Sequence, residues 1–187
     1  ADVSKATSSI RKRRACKNVV RSGEALLKAS PAAPNRYPVL GIVFQTQKRL
    51  LGLENTERNR EALFDTCSKL AEAPDEYAKL RLEADMLLSE RALSQKNADV
   101  NVRAHALAEL IGHYRGTLGE AKSLMIASKI APKLEAFGLE ETIIRTLVER
   151  FPGDHEVIEF RRKNFNNSLL DVLFRGTFTR NDGTALS

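Results

Sequence analysis

Three histidines are the side chains of this sequence best suited to holding a metal ion. His105 and His113 lie eight residues apart on one predicted helix, roughly two turns, so they point to similar sides. A metal site on a helix favours ligands four residues apart or a third ligand nearby, and neither cysteine is close in the sequence. His155 falls in the first turn of another predicted helix. We interpret all three as ordinary surface or half-buried side chains and predict no metal site.

The two cysteines, Cys16 and Cys67, could in principle form a redox pair or a disulfide. They lie far apart in the sequence and form no Cys-x-x-Cys motif. Each lies on the apolar face of a predicted helix, where a free cysteine behaves as a small apolar side chain. The pattern therefore favours two buried free thiols over a disulfide.

Paired carboxylates could perform acid–base chemistry, but their positions suggest a structural role. Asp75 with Glu76, and Glu140 with Glu141, fall at the starts of predicted helices, where the helix dipole stabilises negative charge. The segment from Gly116 to Gly119 is a turn between helices and not a phosphate-binding loop. We predict no catalytic residue, no cofactor-binding residue and no cofactor.

Positive charge is concentrated at the N-terminal end of the chain. The net charge is +6, and residues 1–30 alone hold eight basic and two acidic side chains, so the rest of the chain is neutral. The run from Arg11 to Arg14 could contact the phosphates of nucleic acid or anionic lipid. No aromatic residue interleaves with it. We therefore favour a solvated helix face over nucleic-acid binding.

The elements that position these residues are predicted to be helices. Alanine, leucine and charged residues abound, whereas the chain has only ten glycines and six prolines. Pro132 is expected to kink the sixth helix. The second helix is apolar on nearly all sides in its first half, which predicts a central, buried position. The predicted helices cover about residues 4–29, 37–53, 56–73, 74–95, 100–114, 117–138, 139–151 and 155–165.

Two of these helices resemble each other and end in the same way. When Gly116 is aligned with Gly153, an offset of 37 residues, four apolar positions and an aromatic-then-glycine ending coincide. The aligned pairs are Leu107 with Ile144, Leu110 with Leu147, Ile111 with Val148 and Tyr114 with Phe151. The pattern predicts an all-α, antiparallel array of helical hairpins of the tetratricopeptide-like kind. A short C-terminal β-hairpin stub is predicted separately, from the residues that follow the helices.

The C-terminal residues have a different character from the helical part. They are rich in β-branched and aromatic residues, and Asn181-Asp-Gly183 is a strong hairpin-turn signal. We expect a following β-containing domain to begin here. The sequence thus divides into a basic N-terminal helix (1–30), a helical repeat domain (31–168), and a linker with the first hairpin of the next domain (169–187).

Helical repeats with Phe-Pro-Gly-Asp endings, followed by residues 174–186, resemble the N-terminal region of a known family. This family comprises the bacterial envelope redoxins with a thioredoxin fold, related to TlpA and to peroxiredoxins. Its hairpin before the thioredoxin fold matches Gly176, Thr177, Asp182 and Gly183. The resemblance implies that a catalytic Cys-x-x-Cys follows Ser187, in a thiol-disulfide oxidoreductase exported to the periplasm. This chain would then be its non-catalytic accessory domain.

Two other functions are compatible with the sequence. The chain could be a free-standing helical-repeat adaptor that binds a peptide or protein in a groove of the array. A weaker hypothesis is binding to nucleic acid or to a membrane surface through the basic first helix. No apolar run approaches the roughly 18 residues that span a bilayer, and no secretory signal is recognised at Ala1. We expect a protein or peptide partner and no transmembrane segment.

Overall fold

The computed structural model describes residues 8–164, and this part of the protein is all-α, as predicted. No strand occurs among these residues. Short 3-10 turns cover Asp75–Tyr77 and Ala131–Leu134. The helices are α1 (Ser9–Ala29), α2 (Arg36–Leu53), α3 (Glu57–Ala71), α4 (Ala78–Gln95), α5 (Val100–Tyr114), α6 (Glu120–Ile130), α7 (Phe137–Arg150) and α8 (His155–Asn164).

Side-chain caps explain where four of the helices begin. In each, an oxygen of the capping side chain accepts a hydrogen bond from the backbone N–H three residues later, which satisfies a donor that the helix leaves unpaired. Of Asn55 and Thr56, which the sequence offers as alternative caps for α3, the structure uses Thr56. The capping residues are Ser8, Thr56, Asp99 and Asp154. The Phe-Pro-Gly-Asp element therefore ends α7 and caps α8.

Prolines lie at two helix boundaries, and the structure agrees with the predicted start of α2 to within one residue but not with the predicted course of α6. Pro38 lies in the first turn of α2, where a missing N–H costs little, so the helix begins at Arg36. The sequence predicts a kink at Pro132, but α6 ends at Ile130 and Pro132 lies in the 3-10 turn that follows. The proline cannot donate the next helical hydrogen bond. Glu135 then adopts a left-handed conformation, with a φ of 53°.

The chain divides into two compact units, Ala1–Ser123 and Leu124–Ser187. In the first unit, successive helices pack against one another: α1 on α2, α2 on α3, α3 on α4, and α4 on α5. Consecutive packing of this kind brings α1 into the same unit as the helices that follow it. The division at residues 1–30, 31–168 and 169–187 stays a prediction.

The core of the first unit is built around Phe44, which has no solvent exposure. Each such side chain contributes about 1.5–3 kcal/mol on burial. Ile42, on the opposite side of α2, is 59% exposed. The sequence predicts that α2 is central and buried, but the structure leaves this side of the helix open to solvent. The buried residues that cluster with Phe44 are Leu40, Leu63, Cys67, Leu70 and Ala84.

In the second unit, α7 and α8 bury their apolar faces. Ile143 and Leu147 of α7 and Val157 of α8 are almost fully buried. The Nζ of Lys129 lies 5.0 Å from the centre of the Phe160 ring, a cation–π contact. α7 also packs against the 3-10 turn Ala131–Leu134. Apolar burial therefore stabilises this unit as well.

Two of the four aligned pairs of α5 and α7 match in burial, and the two helices end differently. Leu107 and Ile144 are both buried, in agreement with the alignment. Gly116 has a φ of 81°, in the left-handed region, whereas Gly153 does not adopt a positive φ. The two glycines therefore end their helices in different conformations, although the sequence aligns them.

Some predictions fall outside the described residues. These are the first residues of the predicted N-terminal helix (4–7), the β-hairpin stub within 169–187, and the four residues that carry the redoxin resemblance. Over residues 8–164, no helix combines the length and the apolar character needed to cross a membrane.

Candidate functional site

A cleft of about 550 Å³ lies between α1, α2 and α3, all within the first unit. Charged residues of α1 and α3 line it on either side, and residues of α2 lie between them. The lining residues are Lys17, Val20, Arg21, Glu24, Gln47, Leu50, Glu54, Thr56, Arg58, Asn59 and Ala62.

Two contacts between α1 and α2 set the geometry of this cleft. Nζ of Lys17 lies 2.6 Å from Oε2 of Glu54, the residue that follows α2. Further along α1, a Cβ on Gly23 would lie only 2.4 Å from Cγ2 of Val43, so a glycine is needed for the helices to approach this closely. Since residue 17 meets residue 54 and residue 23 meets residue 43, α1 and α2 run antiparallel.

Glu54 joins α1 to the start of α3 at one end of the cleft. Besides Lys17, its carboxylate is 3.7 Å from Nη1 of Arg13. Nδ2 of Asn59 donates to its backbone oxygen at 2.7 Å. The hydrogen bond from Lys17 is the main reason that the pKa of Glu54 is lowered from its ordinary value. The carboxylate therefore stays ionised and holds two basic side chains of α1 in place.

Gln47 is the unusual residue of the cleft. It is only 3% exposed, and neither its amide nitrogen nor its amide oxygen has a hydrogen-bond partner in the described part of the chain. Leaving a buried amide unpaired costs about 1–3 kcal/mol, so such groups are uncommon in folded proteins. Gln47 thus forms part of the wall of the cleft, and the described part of the fold leaves its buried amide without a donor or an acceptor.

The composition of the cleft suits binding. None of its lining residues is a cysteine, a histidine or a serine. The hydroxyl of Thr56 already accepts the backbone N–H of Asn59 at 3.3 Å. Apolar surface comes from Val20, Leu50 and Ala62. The site can hold a ligand by charge, hydrogen bonding and apolar contact, and it offers no activated nucleophile.

The residues singled out for metal or thiol chemistry do not come together. His105, His113 and His155 are all exposed, and within residues 8–164 no group of three or more His, Cys, Asp or Glu side chains could hold a metal ion. Cys16 and Cys67 are buried free thiols, as predicted. Burial raises the pKa of both, to about 11 for Cys67, so neither is a reactive thiolate at neutral pH.

Ion pairs and helix positions account for the basic run and for the carboxylate pairs. The sequence predicts that the run from Arg11 to Arg14 is solvated. In the structure all four residues belong to α1, and Arg13 lies near Glu54. Oδ1 of Asp75 lies 2.8 Å from Nη2 of Arg81. Glu140 lies in the first turn of α7, where the helix dipole favours it. None of these groups lines the cleft.

Sequence analysis missed Gln47, although a signal was present. Buried positions of α2 follow helical spacing at Leu40, Val43, Phe44 and Leu50, and Gln47 occupies the one polar position in this row. A glutamine inside an apolar stripe indicates a buried amide that needs a partner.

A second polar cluster joins α2, α4 and α6 through Glu83. Its carboxylate accepts hydrogen bonds from Gln45 at 3.0 Å, Lys48 at 3.1 Å and Lys122 at 2.6 Å. Desolvation acts to raise the pKa of Glu83, but these three partners outweigh it and lower the pKa to about 2. With its carboxylate fully engaged, this cluster has the character of a structural junction.

Comparison with protein-family models gives no match for this chain. Comparisons with curated proteins and with solved structures give no significant match either.

Proposed function

We propose that this chain is a non-catalytic helical interaction module that binds a peptide or protein segment in the cleft between α1, α2 and α3. The observation that carries the proposal is the cleft of about 550 Å³ together with the unpartnered, buried amide of Gln47 in its wall. A primary amide matches the peptide group, because it offers one donor and one acceptor side. Val20, Leu50 and Ala62 supply apolar contacts for side chains of the segment.

A phage-display selection tests this function: a random peptide library is selected for binding to the immobilised protein. The selected peptides are then compared on two variants with the same added bulk. Ala62→Trp fills the cleft, whereas Ala108→Trp adds the ring at an exposed position of α5. We expect Ala62→Trp to abolish binding and Ala108→Trp to retain it.

Two outcomes would contradict this function: no peptide is selected, or both variants bind equally well. Thermal unfolding followed by circular dichroism shows whether Ala62→Trp folds. If it does not, Arg58→Trp at the edge of the same cleft replaces it. Arg58 is exposed and has no ion-pair partner in the described chain, so its substitution leaves the fold intact.

The wider architecture is part of the same proposal. Successive packing of α1 through α5 supports an antiparallel array of helical hairpins, tetratricopeptide-like in style. Arrays of this kind present surfaces to peptides and helices of partners.

The resemblance at residues 174–186 favours a second proposal, in which the module belongs to a periplasmic thioredoxin-like oxidoreductase. Insulin reduction by this chain is compared with that by the protein encoded through the region after Ser187. Activity of the longer protein alone supports this parent. Activity in neither contradicts it and leaves the free-standing adaptor. Activity of this chain alone contradicts the non-catalytic assignment.

A further inference from the structure

A second cavity continues the cleft toward the C-terminal ends of α1 and α3. It measures about 270 Å³ and is lined by residues of α1, α2, α3 and the α1–α2 connection. Glu24 lines both cavities, so they adjoin. We call the combined feature the basic groove. It runs from Lys17 to Lys28 along α1, about 16 Å at the helical rise per residue.

The basic groove carries a large excess of positive charge. Its six basic side chains face only two carboxylates, Glu24 and Glu54, which gives a net charge of +4. Glu54 is already paired with Lys17. No ion pair is formed by the other five cations in the described part of the chain. The six basic residues are Lys17, Arg21, Lys28, Arg36, Arg58 and Lys69.

Three successive helices supply these charges. Lys17, Arg21 and Lys28 belong to α1, Arg36 begins α2, and Arg58 and Lys69 lie near the two ends of α3. The sequence places the excess of charge in residues 1–30 alone. The fold adds three cations from a part of the chain that is neutral overall, so the charge of the groove is a property of the tertiary structure.

The surface between the cations is aliphatic. Leu27, Pro31 and Leu40 line the second cavity, as Val20 and Leu50 line the first. No lining residue of either cavity is aromatic. Single-stranded nucleic acids are held by aromatic rings that stack on their bases, and this groove has none. A peptide that alternates carboxylates with aliphatic side chains would match both the cations of the groove and the aliphatic surface between them.

We propose that the basic groove binds an acidic peptide segment in an extended conformation, with aliphatic side chains between its carboxylates. At about 3.3 Å per residue, a groove of this length holds about five residues. Arg21, Arg58 and Lys69 meet the carboxylates, and the amide of Gln47 meets the peptide backbone. This inference rests on the peptide-binding function proposed above and adds the chemical class of the partner.

Fluorescence anisotropy of labelled probes tests the partner class. The probes are a short peptide of alternating glutamate and leucine, its counterpart of alternating lysine and leucine, and a single-stranded oligothymidine. We expect the glutamate–leucine peptide to bind, the lysine–leucine peptide not to bind, and the oligothymidine to bind more weakly. Attraction between exposed charges weakens as salt rises, so affinity for the acidic peptide falls with ionic strength.

A pair of double variants with equal charge change separates the groove from general attraction. Arg21→Glu with Lys69→Glu alters the basic groove, whereas Lys96→Glu with Arg115→Glu alters exposed positions elsewhere in the first unit. We expect the first double variant to lose at least about tenfold in affinity and the second to lose less than about twofold, since each exposed ion pair contributes up to about 1 kcal/mol.

Each contrary outcome has a distinct meaning. Equal losses in the two double variants, or tighter binding of oligothymidine than of the acidic peptide, overturn the acidic-peptide assignment. If the phage-selected peptides that need the open cleft are neutral or basic, the partner class is wrong while the peptide-binding function stands. If no peptide binds the cleft at all, both proposals fail.

Discussion

The hydroxyl of Tyr114 donates a hydrogen bond to Oδ2 of Asp85, 2.5 Å away, from a ring that has no solvent exposure. Cζ of Arg81, one turn earlier on α4, lies 5.4 Å from the centre of the same ring. Desolvation, reinforced by the bond to Asp85, raises the pKa of Tyr114. The last residue of α5 is thus held by two residues of α4, which explains how these helices keep their register.

Tyr114→Phe is expected to destabilise the protein by about 1–3 kcal/mol. The change removes one hydrogen bond to a charged group and leaves the carboxylate of Asp85 without its buried donor. Chemical denaturation measures the free energy of unfolding. Tyr77→Phe is the matched control, because no partner of the Tyr77 hydroxyl is described, and it should change stability by less than about 0.5 kcal/mol. Equal effects of the two substitutions would refute the role of this bond.

Gln47→Leu is expected to stabilise the protein by about 1 kcal/mol while weakening peptide binding. It replaces a buried amide that lacks partners with an apolar side chain of similar size. Gln45→Leu is the control, because Gln45 is exposed and donates to Glu83, so its replacement should give no gain. Melting temperature and affinity for a selected peptide are the two readouts. A loss of stability on Gln47→Leu would show that its amide has a partner after all.

The low pKa of Glu83 predicts a dependence of stability on pH. Its pKa falls from an ordinary 4.5 to about 2 on folding, so the stabilisation is fully present above pH 4.5 and disappears as the pH drops toward 2. Allowing for partial exposure, the contribution is roughly 1–2 kcal/mol. Glu83→Gln should flatten the stability profile in this window. The pKa of Glu57 is also lowered, by its hydrogen bond from Arg60, but this ion pair is exposed and screened by solvent, so Glu57→Gln should change the profile less than Glu83→Gln.

The two aligned glycines should respond differently to the same substitution. Gly116→Ala is expected to cost about 1 kcal/mol, because a side chain is disfavoured at a φ of 81°. Gly153→Ala has open space around its Cβ and no positive φ, so its effect should be close to zero. Thermal unfolding of the two variants provides the comparison. A similar cost at both positions would mean that the aligned helices end equivalently.

Local patterns predicted the helices well. Apolar spacing placed α5 at residues 100–114, as the structure shows, and the sequence offered Asn55 or Thr56 as the cap of α3, of which the structure uses Thr56. Such features depend on groups within a few residues of one another, so they can be read without knowledge of the fold. The boundary at Pro132 was less accurate, because a proline can begin a helix, kink it or end it, and packing selects among these outcomes.

The sequence by itself determined the all-α class, the burial of Cys16 and Cys67, and the excess of charge in α1, since each follows from composition or short-range spacing. It could only align Tyr114 with Phe151 as two aromatic residues. The tertiary structure decided that the Tyr114 hydroxyl reaches Asp85, that Gln47 is buried without a partner, and that Arg58 and Lys69 join the cations of α1. Each of these depends on groups distant in the chain, which only packing of the helices brings together.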